Sequence, residues 1–87
     1  MSEINKINEE ALNNVVGGKR MIVENPNVDY VNVRRGPGTF YGVAFTLDNG
    51  TVVNVVAKKY SEEDGYNWSQ LDNGYWVASH LLGNIYG

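Results

Sequence analysis

Two spacings of apolar residues divide the chain. Ile4, Ile7, Leu12 and Val15 recur at helical intervals, and at about 100° per residue they fall in a stripe roughly 140° wide with Ala11 inside it. Glu3, Asn8, Glu10 and Asn14 occupy the rest of that surface, and Ser2 and Asn5 are candidate N-caps. The pattern predicts an amphipathic helix stopped by Gly17-Gly18, where two absent side chains free the backbone. A helix of about 12 residues is marginal alone in water, so the segment is expected to be flexible or transiently helical until something binds it.

Beyond Gly18 the period drops to two. Met21-Ile22-Val23 is a short apolar run, and Tyr30–Val33 is a short strand ending at the turn-rich Arg34-Arg35-Gly36-Pro37-Gly38. Tyr41, Val43, Phe45 and Leu47 alternate with Gly42, Ala44 and Thr46, as a half-buried strand requires. Asp48-Asn49-Gly50 predicts a hairpin turn, with Thr51–Ala57 returning as the partner strand. Lys58–Tyr66 reads as a charged connection. Asn67–Leu71 and Tyr75–Ala78 flank a second turn at Asp72-Asn73-Gly74, and Ser79–Leu82 reads as a short helical turn. The expectation is an all-β fold, a small barrel of about five strands.

Composition narrows the function classes. The 87 residues allow one domain, and 43% hydrophobic with 20% charged residues is ordinary for a globular chain. All ten aromatics follow Gly18. Residues 1–18 carry three acids and one base, leaving seven acids and six bases in the remainder, which gives no electrostatic footprint for nucleic acid. No apolar run reaches the roughly 18–20 residues of a membrane span, and no Sec-type signal is present. The absence of cysteine excludes disulfides, a thiolate metal site and a cysteine nucleophile.

Val31-Asn32-Val33-Arg34-Arg35-Gly36-Pro37-Gly38-Thr39-Phe40-Tyr41-Gly42-Val43 resembles the "VNVRxGPGTxYxV" signature of the bacterial SH3 (SH3b) family. Leu47, Gly50, Thr51, Val53 and Val55 are similar to its following hairpin, and Trp68–Leu71 with Gly74–Val77 and Leu82 to its closing stretch. Tyr75 departs from that pattern by standing between the glycine and the tryptophan. The resemblance implies an SH3-like barrel over residues 19–87 and a cell-wall peptide or glycan as ligand.

Residues 1–18 resemble the double-glycine leaders removed by peptidase-containing ABC transporters, as in bacteriocin-type secretion. Ala11 stands where such leaders usually carry Glu, with Glu10 one place earlier. The partner implied is the transporter's cysteine peptidase domain, which supplies the nucleophile. Ile4, Ile7, Leu12 and Val15 would enter an apolar groove, each burial contributing roughly 1.5–3 kcal/mol. A narrow protease tunnel admits only Gly17 and Gly18 before the scissile bond to Lys19. The product is then cytoplasmic as a precursor and secreted once the leader is removed. An N-terminal helix packed on the barrel, or a disordered tail, is the alternative, but neither explains why Gly17-Gly18 ends the pattern. An antimicrobial cargo and an intracellular SH3-like interaction module stay open as well; the near-neutral, β-patterned remainder argues against a membrane-active peptide.

Trp68, Trp76, Tyr41, Phe45 and Leu47 are expected to form or close the core. Tyr30, Phe40, Tyr60, Tyr66 and Tyr75 exceed what so small a core holds, so they are the candidate ligand groove. Of Arg34 and Arg35, one is expected to be structural and one solvated. Glu62-Glu63-Asp64 reads as a solvated acidic loop. His80 is the single histidine, and Ser69, Ser79 and Asp72 have no spacing that supports a triad with it. No catalytic residue, metal site or cofactor is expected, and the domain is expected to be a monomer.

Overall fold

The computed structural model describes residues 18–85. Seven strands follow in order: β1 Lys19–Val23, β2 Tyr30–Arg34, β3 Val43–Asp48, β4 Val52–Ser61, β5 Tyr66–Leu71, β6 Trp76–Ala78 and β7 Leu82–Asn84. One 3-10 turn, η1 Ser79–Leu81, joins β6 to β7. The strands form a single antiparallel sheet in the spatial order β3-β2-β6-β5-β4-β1-β7.

Alternation sets which face turns inward. In β2, Val31 and Val33 are buried while Tyr30 and Asn32 are exposed. Val31 and Val33 join Val23, Val55, Leu71, Val77 and Leu82 in one core cluster. β3 adds Phe45 and Leu47, half-buried against it. Strands near opposite ends of the sheet order, β2 and β7, thus feed the same core, so the sheet coils on itself as a small barrel. Two bulges help it bend: Ala44 is the extra residue of β3 opposite Val33–Arg34, and Val56 the extra residue of β4 opposite Gln70–Leu71. Up to Val55, β4 lies against β1; beyond it, β4 pairs with β5.

Asn49 ties the Asp48-Asn49-Gly50 turn to the neighbouring loop. Its Oδ1 accepts from Asn25 N at 2.8 Å, and its Nδ2 donates to the carbonyls of Asn25 and Val28 at 3.1 Å. Gly50 and Gly74 take φ of 92° and 90° in the two turns, which a side chain resists.

The strand count exceeds the expected five for two reasons. Met21-Ile22-Val23 belongs to a full strand, and the short β7 pairs with β1, about 60 residues away in sequence, where no local pattern shows it. The charged connection begins later than predicted. Lys58, Lys59, Tyr60 and Ser61 continue β4 opposite Ser69, Trp68, Asn67 and Tyr66, leaving only the turn at residues 62–65. Both lysines and Tyr60 are exposed there, so hydrophobic periodicity carried no signal.

Candidate functional site

The loop between β2 and β3 is built around its glycines. Gly36 and Gly38 are buried because aromatic rings lie on them: a Cβ on Gly36 would stand 2.5 Å from Tyr41 Cδ1, and one on Gly38 2.5 Å from Phe40 Cε1. The two rings also touch, with centroids 4.7 Å apart. Tyr41, expected in the core, is instead folded back over the loop and 40% exposed, because β3 starts only at Val43.

Two side chains pin this loop. Arg34 Nη1 donates to the carbonyls of Thr39 at 3.1 Å and Tyr41 at 2.9 Å, so Arg34 is the structural arginine and Arg35 the exposed one. From the other side, Asp64 Oδ2 accepts from Thr39 N at 2.9 Å, while Asp64 Oδ1 accepts from Tyr66 N at 3.0 Å. The indole Nε1 of Trp68, a side chain only 2% exposed, donates to Asp64 Oδ2 at 3.2 Å. Desolvation alone would raise the carboxyl pKa of Asp64. The hydrogen bonds from Thr39 and Tyr66, with smaller ones from Ser61 and Trp68, outweigh it and hold the group below its ordinary 3.8.

Sequence reading placed Asp64 in a solvated acidic run. The available signal was Trp68: a buried indole N–H needs an acceptor, and Asp64 sits in the turn that precedes its strand.

The five candidate groove aromatics fall into three places. Tyr30 of β2 and Tyr66 of β5 line one cleft of about 210 Å³, together with Asn32, Trp68 and His80. The His80 ring lies against Tyr66 with centroids 4.9 Å apart. Phe40 and Tyr60 line a second, shallow cleft of about 540 Å³ with Tyr41, Lys59, Glu62 and Glu63. Tyr75 joins neither; it packs edge-on against Phe45, centroids 5.3 Å apart, at the side of the core. Of the residues expected to close the core, Trp68 is buried, while Trp76, Phe45 and Leu47 are half-buried.

Ser69 Oγ is 2.7 Å from Ser79 Oγ, and Asp72 Oδ2 accepts from Asn54 Nδ2 at 3.3 Å. Among the described residues, no group of three or more His, Asp or Glu side chains stands close enough to hold a metal ion. None of their helices is long and apolar enough to cross a membrane.

Gly18 directly precedes β1, and Lys19 is the first residue of that strand, paired with Val55. Ile4, Ile7, Leu12, Val15 and Gly17 lie outside the described residues.

Residues 29–83 match the family described as bacterial SH3 domain. No curated protein and no solved structure matches the chain significantly.

Proposed function

The chain belongs to the bacterial SH3 domain family, and from that membership we propose that it is a small exported binding module. In this reading residues 19–87 hold a cell-wall peptide, and residues 1–18 are a leader that a peptidase-containing ABC transporter removes by cutting after Gly18.

The observation that carries the binding half is the Tyr30–Tyr66 cleft. Tyr30 of β2 and Tyr66 of β5, strands with β6 between them, are 41% and 44% exposed and line the cleft with the buried Trp68. Rigid strands hold them, so little ordering is lost when a ligand arrives. Aromatic walls supply apolar contact, and Asn32 and His80 supply hydrogen-bonding groups at the rim. An extended peptide fits such a slot better than a bulky partner would.

The export half is supported by where the sheet begins. β1 opens at Lys19, so a cut after Gly18 removes none of the described strands. In this reading the domain acts by binding; Ser69 and Ser79 hydrogen-bond to each other, and Asp72 accepts from Asn54.

Two measurements test the reading. Mass spectrometry of culture medium is expected to find a product starting at Lys19; an intact chain retained in cells with an active exporter would count against it. Purified peptidoglycan is expected to retain residues 19–87 in a pull-down. Equal retention of a Tyr30→Ala, Tyr66→Ala double variant would remove the cleft from the account.

A further inference from the structure

Gly18 and Lys19 flank the bond assigned above to cleavage, and both are built into the folded domain. Gly18 has φ of 62°, in the left-handed region. A Cβ placed on it would run into the main-chain carbonyl of Val55, the residue paired with Lys19. That carbonyl belongs to β4, inside the sheet, and has no flexible end that could move aside.

The next residues are held in turn. Arg20 is opposite Asn54, Met21 opposite Val53 and Ile22 opposite Val52. On its other side β1 is held by β7, through Met21 with Asn84, Ile22 with Gly83 and Val23 with Leu82. The strand that begins at the scissile bond is therefore interior to the sheet for most of its length.

A protease cleft takes its substrate as an extended segment whose main-chain groups pair with the enzyme, much as an added strand pairs with a sheet edge. The folded domain offers neither condition at this bond. Gly18 is not extended, and the backbone at Lys19 is already registered against Val55. Side-chain motion cures neither; residues 18–20 have to leave β4 first.

We infer that the domain hides its own processing site: the Gly18–Lys19 bond is cut in the unfolded or frayed chain and resists cutting once the barrel has formed. The identity of the enzyme rests on the leader reading above, whereas the occlusion applies to any protease that acts here. Gly18 is then required twice, by the peptidase tunnel and by the carbonyl of Val55. A bulky residue at this position would disturb both, so the test leaves Gly18 intact.

The test uses the full chain and two proteases. Trypsin cuts after Lys19 and Arg20, whose side chains are exposed while their backbone is paired. Digestion across urea concentrations spanning the unfolding transition is compared with digestion of Leu71→Ala, a variant with a damaged core. The bonds after Lys19 and Arg20 are expected to be cut at least about ten-fold faster once the chain is unfolded, as for sites exposed only by opening. Equal rates in the folded and unfolded chain would overturn the inference. The cognate peptidase, run in parallel, is expected to show the same contrast after Gly18. Should it cut neither form while the trypsin contrast persists, the leader reading falls and the occlusion stands.

Discussion

Trp68 Nε1 donates to Asp64 Oδ2 across 3.2 Å, and the same carboxylate accepts the Thr39 and Tyr66 amides. One side chain thereby fastens the largest buried aromatic, the start of β5 and the loop that carries Phe40 and Tyr41.

Asp64→Asn replaces one of these acceptors by an NH₂ that faces an N–H donor, so the variant is expected to be less stable than the parent. Its pH dependence carries the sign. The folded-state pKa lies below the ordinary 3.8, so the stabilisation is complete above the unfolded-state value and is lost as pH falls through the folded-state value. Urea midpoints measured from pH 7 down to pH 2 are expected to fall for the parent in the acid part of that range. The fall is expected to be smaller for Asp64→Asn. Parallel curves for the two proteins would show that the carboxylate charge contributes nothing.

Leu71 is 2% exposed and sits in the core cluster where β5 meets β4. Leu71→Ala is expected to cost about 2–5 kcal/mol, a large part of the stability of so small a domain. Loss of the folded signal by circular dichroism at 37 °C checks it, and an unchanged melting temperature would contradict the placement of the core.

Gly36→Ala puts a methyl group where the Tyr41 ring lies. The ring can swing outward, so the barrel is expected to survive with a loss of roughly 1–3 kcal/mol. The Tyr41 ring resonances in NMR spectra are expected to move toward free-tyrosine positions. Unmoved resonances would mean that the ring does not rest on the loop.

Tyr66→Ala removes one wall of the cleft without entering the core, since the ring is 44% exposed. Binding to purified peptidoglycan is expected to weaken about ten-fold or more, as for a central aromatic contact, with little change in melting temperature. Tyr75→Ala is the useful contrast, because its ring packs on Phe45. It is expected to lower stability and leave affinity unaltered in the folded fraction. The opposite pattern would move the binding face to the other side of the barrel.

Much of this architecture could be read from local pattern. The alternation of β2, the Asn-Gly turns and the helical turn at Ser79 all rest on neighbours within a few residues, and they fall where the periodicity placed them. What could not be read is long-range. The pairing of β1 with β7 joins Val23 to Leu82 without any shared local signal. Exposed Lys58 and Lys59 look like loop residues until their partners Ser69 and Trp68 are known. The aromatics were identifiable as too many for the core, but their division between two clefts and a core edge depends on how β2, β4 and β5 curl. Tyr41 was misplaced because alternation continues through Gly42, although the backbone there folds back toward Gly36 and Arg35 N donates to Gly42 O.

The position of β1 between β4 and β7 has a consequence in time. A chain emerging N-terminus first has to wait for Leu82–Asn84 before its opening strand gains both neighbours. Sheets that join distant parts of a chain also assemble slowly compared with local hairpins. For that interval Met21–Val23 keep one edge open, and the strand that starts at Lys19 is held by β4 alone. If cleavage after Gly18 is as proposed, a chain that folds faster, or with help, is expected to close that interval early and leave more of itself uncut.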